Sequence, residues 1–215
     1  MPLSDRDYMR PSPPPARRPI RLNFRGFNLN PVLVIIVISF VFFLATLIRS
    51  SLIAELGLIP LLFTERPWTI LTSMFVHSGF GHILFNMIAL FFFGRTLTML
   101  VGSGRFLLVY FVGGIAGSFL FLLLNASSIS PLVGASGAVY AIAGTLVVMV
   151  PNMRVALWGI IPMPLWVFVI VFLLLLSLPP FVASNIAWQA HLGGLAVGLV
   201  AGYFFRKKLR LIYYR

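Results

Sequence analysis

Three short groups of polar residues interrupt a chain of 215 residues that is otherwise strongly apolar. Gly134-Ala135-Ser136-Gly137 sets a serine between glycines at the mouth of an apolar segment. His82-Ile83-Leu84-Phe85-Asn86 and Ala190-His191, the latter ahead of Gly194 and Gly198, stand at the mouths of two others. A serine hydroxyl, an imidazole base and a set of N–H donors are the parts of a hydrolase that works through an activated nucleophile and a stabilised oxyanion.

The elements that must carry these residues are membrane helices. The chain is 60% hydrophobic and only 9% charged, with a mean hydropathy of +1.04, far more apolar than one soluble core requires. All four acids lie outside the long apolar runs: Asp5, Asp7, Glu55 and Glu65. Buried chemistry must then proceed without a carboxylate, which argues against a Ser-His-Asp triad, an aspartyl dyad, a glutamate-based metalloprotease and a carboxylate proton relay. There is no cysteine, hence no disulfide or zinc–thiolate site.

Six spans suit a hydrocarbon core of about 30 Å, at about Val32–Ile48, Gly81–Met99, Phe106–Leu124, Pro131–Val150, Pro164–Leu178 and Ala187–Phe205. The expected fold is an all-α polytopic membrane protein. Residues 1–31, rich in Pro and Arg, read as a disordered cytoplasmic tail rather than a cleaved signal. Residues 32–205 form the membrane domain, and residues 206–215 a basic tail. Leu56 to Phe63, in the first long loop, is too short to span and is expected to lie in the membrane interface.

The net charge of +12 is concentrated at the ends. With both termini cytoplasmic, 14 Lys and Arg face inward and two, Arg49 and Arg66, outward. Such flanking charges orient a protein in a bilayer. No aromatic–basic module accompanies them, so nucleic acid is not an expected partner. The reading is a multi-pass protein of a prokaryotic plasma membrane.

In this topology spans two, four and six run in the same direction. His82 and Asn86, Ser136 and Tyr140, and His191 therefore fall at similar depth near the outer face. Residues four apart share a helical face, which aligns His82 with Asn86, and Ser136 with Tyr140 and Gly144. Gly194, Gly198 and Gly202 form a stripe with His191 that lets span six approach a neighbour closely. Span four, with Gly137, Ala141 and Gly144, is the natural partner. If its regular helix starts at Ser136, the span begins below the outer surface, beside the water a hydrolase needs.

These motifs resemble those of the rhomboid family of intramembrane serine proteases. GxSG corresponds to Gly134-Ala135-Ser136-Gly137, HxxxN to His82 through Asn86, and AHxxGxxxG to Ala190-His191 with Gly194 and Gly198. The resemblance covers roughly residues 32–205 and implies a six-transmembrane-helix rhomboid-like bundle that cleaves transmembrane protein substrates near the extracytoplasmic face. It implies Ser136 as nucleophile and His191 as general base, the Ser136 N–H with His82 and Asn86 stabilising the oxyanion, and Tyr140 packing on the His191 ring. It implies neither metal nor cofactor. The first loop departs from the family: Trp68 is followed by Thr69, and Ser73 stands where some members have a histidine.

Other readings compete. Three histidines could serve a metal protease or transporter, but His77 and His82 are five apart and lack the intervening Glu of a zinc-binding helix. A non-catalytic relative that binds membrane clients is a second. His77 reads as structural or solvated, and Asn125 and Gln189 as interfacial hydrogen-bonding residues. The run Phe91-Phe92-Phe93 reads as a lipid-facing or packing surface.

Overall fold

A computed structural model describes residues 30–157, 160–174 and 187–213. Helix α1 (Pro31–Ile48) opens with Pro31 at its first position, where no N–H is needed, and the Asn30 side chain accepts the Val32 N–H at 3.0 Å. The long first loop holds two short helices, α2 (Leu52–Leu56) and α3 (Thr69–Thr72), with a single 3₁₀ turn at Pro60–Leu62 between them. Next come α4 (Phe80–Ala89), a π-helical turn at Leu90–Gly94 and α5 (Arg95–Val101), which run on as one helix, Phe80–Val101. Gly102, at φ +85°, reverses the chain into α6 (Ser103–Leu124), a conformation that costs glycine little.

Three of these helices, Pro31–Ile48, Phe80–Val101 and Ser103–Leu124, are long and apolar enough to cross a membrane. The protein is a helical, polytopic membrane protein. Their outer faces present Val37, Val41, Leu47, Phe92, Leu108 and Leu123, as contact with lipid requires.

Helix α7 (Ser136–Met149) is shorter, at 14 residues, or about 21 Å. Hydropathy alone starts this span at Pro131; the helix starts five residues later because the preceding chain is held extended. Leu132 forms an antiparallel bridge with Leu58 of the first loop, and Gly134 takes φ +118°. Every residue of α7 from Gly137 to Leu146 is buried, so this helix is the centre of the molecule, packed chiefly against α6 and against α9 (Trp188–Tyr213).

The all-α expectation needs one correction. Strands β1 (Arg154–Leu157) and β2 (Ile161–Pro164) pair antiparallel, Arg154 opposite Pro164 and Leu157 opposite Ile161. Pro151, Pro162 and Pro164 disfavour helix across this connection, and its β-branched and large apolar residues suit a short hairpin. The fifth expected span begins as α8 (Leu165–Phe168) and continues with π geometry through Val169–Leu174; its remainder, 175–178, lies outside the described residues, as does the tail 1–29. Helix α9 does not stop at Phe205 but carries Arg206 and Lys207 on as far as Tyr213, so most of the expected basic tail is helical.

Candidate active site

Ser136 is the first residue of α7 and His191 lies one turn into α9. What brings them together is backbone contact between the two helices. A Cβ on Gly194 would land on the Gly137 carbonyl oxygen, and one on Gly198 on the Ala141 carbonyl oxygen. Gly137 faces the Ala190 carbonyl, which a Cβ would meet at 3.2 Å. Thr145 adds a buried interhelical bond, its hydroxyl donating to the Gly198 carbonyl at 3.1 Å and to Ala141 at 2.8 Å.

With the helices this close, Ser136 Oγ and His191 Nε2 are 2.9 Å apart, within the reach a serine needs of its base. The Tyr140 ring stacks on the His191 imidazole at 4.1 Å between centroids and 10° between planes. If Nε2 accepts the serine proton, the ring proton sits on Nδ1. That buried atom has no hydrogen-bonding partner among the described residues. The first-loop carboxylate Glu55 is taken up by Arg49.

His82 and Asn86 occupy successive turns of α4. Ser78 Oγ lies 3.2 Å from His82 Nδ1, which leaves Nε2 directed at the turn before the serine. A Cβ on Gly134 would stand 2.6 Å from that Nε2; with φ +118° as well, the position is closed to other residues on two separate grounds. The Asn86 side chain is spent partly within its own helix, Nδ2 donating to the His82 carbonyl at 2.8 Å. One of its two N–H bonds therefore remains for another acceptor.

Sequence reasoning did not anticipate the first loop's part in this arrangement. The Gly134 N–H donates to the Ser73 carbonyl at 2.9 Å, and the Ala135 N–H to His77 Nε2 at 3.4 Å. His77 is fully buried and its ring packs edge-on against His82, 5.1 Å between centroids. Burial first, then the neighbouring His82, lowers its pKa from 6.5 to about 4, against an opposing hydrogen bond to the Phe75 carbonyl; at neutral pH the ring is uncharged. The third helix was missed too. Gly113 faces Ala141 and Gly117 faces the Ala190 carbonyl, so α6 closes the same helical junction. The spacing of Gly113 and Gly117 was visible in the sequence as another small-residue stripe. Gln189 donates to Asn125 at 3.4 Å, joining α9 to the end of α6 as expected of two interfacial amides.

Residues 64–208 match the family profile described as the Rhomboid domain, more than half of the chain. The chain belongs to the rhomboid family. Among curated relatives, Bacillus subtilis YdcA, provisionally described as a rhomboid protease, is 34% identical over 145 residues, 66% of this chain and 68% of YdcA. The rhomboid protease GluP of the same bacterium is 35% identical over 134 residues, 62% of this chain but only 25% of GluP. RHOMBOID-like protein 1 of Arabidopsis thaliana is 32% identical over 139 residues, 64% of this chain and 34% of the relative. The rhomboid domain begins after α1 and includes every residue of the three motifs. Family membership and named protease relatives together support a membrane protease.

Proposed function

We propose that this protein is an intramembrane serine endopeptidase acting on transmembrane protein substrates near the extracytoplasmic face, with Ser136 and His191 as its catalytic dyad. The observation that carries the reading is the 2.9 Å contact between Ser136 Oγ and His191 Nε2 at a helix start. Ser136 Oγ attacks the scissile carbonyl carbon as His191 Nε2 takes the hydroxyl proton. The carbonyl oxygen becomes an oxyanion, met by the Ser136 N–H, by His82 Nε2–H and by the free Asn86 N–H. The C–N bond then breaks, with His191 giving its proton to the leaving amine. Water, deprotonated by His191, hydrolyses the acyl-enzyme and restores Ser136. The stacked Tyr140 holds the imidazole plane, and Gly134, Gly137, Gly194 and Gly198 give the backbones the space to meet. No step calls for a metal or cofactor.

The test is labelling of the purified protein by a fluorophosphonate together with cleavage of a transmembrane substrate. Ser136→Ala, His191→Ala and the double variant should fall to one shared background, a loss on the order of 10⁴-fold or more, because residues acting as a unit give non-additive losses. His82→Ala and Asn86→Ala should each cost about 10²–10³ in kcat. Cleavage that survives Ser136→Ala, or that disappears with chelator and returns with zinc, would move the protein to the metal-dependent class. A folded wild type that neither labels nor cleaves would make it a client-binding relative.

The proposal extends to architecture. The three long helices, α7, the segment opening at α8 and α9 make six spans over residues 32–205, with both termini in the cytoplasm of a prokaryote. The 14-to-two distribution of Lys and Arg supports this orientation. A single cysteine at position 127 should react with an impermeant thiol reagent in intact cells and one at position 12 should not; the reverse pattern would invert the topology.

A further inference from the structure

We propose that His77 is a positioning residue for the nucleophile: its Nε2 accepts the Ala135 N–H and so fixes the peptide plane from which Ser136 enters α7. The proposal rests on the serine-protease reading of the same site.

Ala135 is the residue just before the helix. Its carbonyl already belongs to α7, accepting the Val139 N–H at 3.0 Å, whereas its own N–H has no intrahelical partner, as for any helix start. Ala135 is fully buried, so water does not reach that N–H freely. The acceptor supplied is an imidazole nitrogen 58 residues away in sequence, at 3.4 Å. Two neighbouring amides of the serine turn are thereby held by one five-residue segment, Gly134 by the Ser73 carbonyl and Ala135 by His77.

The segment is itself fixed. Met74 is buried and its thioether fills the space that a side chain on Gly114 of α6 would occupy. The His77 ring is held at its other nitrogen, Nδ1 being 3.1 Å from the Phe75 carbonyl. Only one protonation pattern meets both contacts: Nδ1–H donates to the carbonyl and Nε2 presents a lone pair to Ala135. The same ring packs on His82, so one side chain touches both the turn that delivers the nucleophile and the imidazole proposed to receive the oxyanion. A buried histidine kept only for packing would not need a lone pair at Nε2, and this difference is testable.

His77→Leu keeps an apolar side chain of similar bulk without the acceptor. His77→Gln puts a carbonyl oxygen near the Nε2 position, and His77→Asn puts one near Nδ1 instead. In detergent, with fluorophosphonate labelling of Ser136 and steady-state cleavage as readouts, His77→Leu and His77→Asn should lose about 10–10²-fold in labelling rate and kcat, the penalty of a nucleophile displaced by about 1 Å. KM should stay near the wild-type value, and His77→Gln should recover most of the loss. Equal rates for Gln and Asn overturn the proposal, as does wild-type labelling by a folded Leu variant. If the Leu variant does not fold, the Gln and Asn pair decides alone. A wild type that is not labelled at Ser136 overturns the serine-protease reading, and this proposal with it; labelled wild type with indistinguishable Gln and Asn variants overturns this proposal only.

Discussion

Helices α6, α7 and α9 meet through glycines, whereas the two loops that bracket Ser136 meet through main-chain hydrogen bonds. At the helical junction, Gly137, Gly194 and Gly198 let carbonyls of one helix lie against the backbone of another, a contact made by removing side chains. At the loop junction, Leu58 and Leu132 exchange hydrogen bonds at 3.0 and 2.8 Å, Leu61 donates to Ser128 at 3.2 Å, and Gly134 donates to Ser73 at 2.9 Å. Here the contact uses groups that every residue except proline carries. The first junction sets how near His191 comes to Ser136, and the second sets how the chain enters the serine. Substitution by type should therefore damage the two differently.

The largest effect should come from the helical side. Gly194→Ala puts a methyl group on the Gly137 carbonyl oxygen, a backbone atom that cannot turn aside, and overpacking of this kind costs typically 1–3 kcal/mol and occasionally more. We expect a cost at the upper end of that range and activity below detection, since separating α7 from α9 also stretches the 2.9 Å dyad contact. Thermal unfolding in detergent and fluorophosphonate labelling read the two consequences separately. Wild-type labelling and melting by this variant would mean that the helices do not meet as described.

The difference between the junctions also explains what could be read in advance. The GxSG, HxxxN and AHxxGxxxG groups, the spacing of Ser136 from Tyr140 and the glycine stripe of α9 are side-chain facts, or facts of side-chain absence, at helical period. They pointed to the α7–α9 pairing from sequence alone. The late start of α7 was legible only as a condition, because hydropathy cannot tell Leu132 in a bridge from Leu132 in a helix. The 73–77 clamp was not legible, since its acceptors include a carbonyl of Ser73 and a histidine whose partner lies 58 positions away. The β1–β2 hairpin was missed for a related reason: hydropathy assigned its apolar residues to connections and span ends. Gly113 and Gly117 were legible and overlooked, because none of the three motifs lies in α6.

A smaller effect, confined to the loop side, follows from pH. His77 has a folded pKa of about 4 against about 6.5 in an unfolded chain. Between these values the unfolded chain binds the proton and the native one does not, so this contribution to stability is complete above about pH 6.5 and is lost as pH falls toward 4. The difference corresponds to at most on the order of 3 kcal/mol. His82 is the titratable group facing the ring, while the turn from Gly134 to Gly137 has none. Wild type and His77→Gln should therefore show diverging pH profiles, the melting temperature of the wild type dropping more steeply between pH 6.5 and 4.5. Parallel profiles would mean that His77 is not the group being protected from protons.

The smallest effect should have the opposite sign and tests whether glycine matters for its type or for what stands beside it. Gly81 is in the first turn of α4, one residue before His82, and a Cβ there would meet nothing within 4 Å. Replacing a helical glycine by alanine in open space lowers the entropy of the unfolded chain and stabilises by about 0.4–1 kcal/mol. Gly81→Ala should thus raise the melting temperature slightly and leave cleavage unchanged, although it adjoins a proposed oxyanion donor. Gly194→Ala makes the identical chemical change on α9 and should abolish activity. If both variants lost function, space alone would not account for the glycines near the site, and α4 would need to approach another backbone during substrate binding. If both were tolerated, the close α7–α9 contact would not be what holds His191 against Ser136.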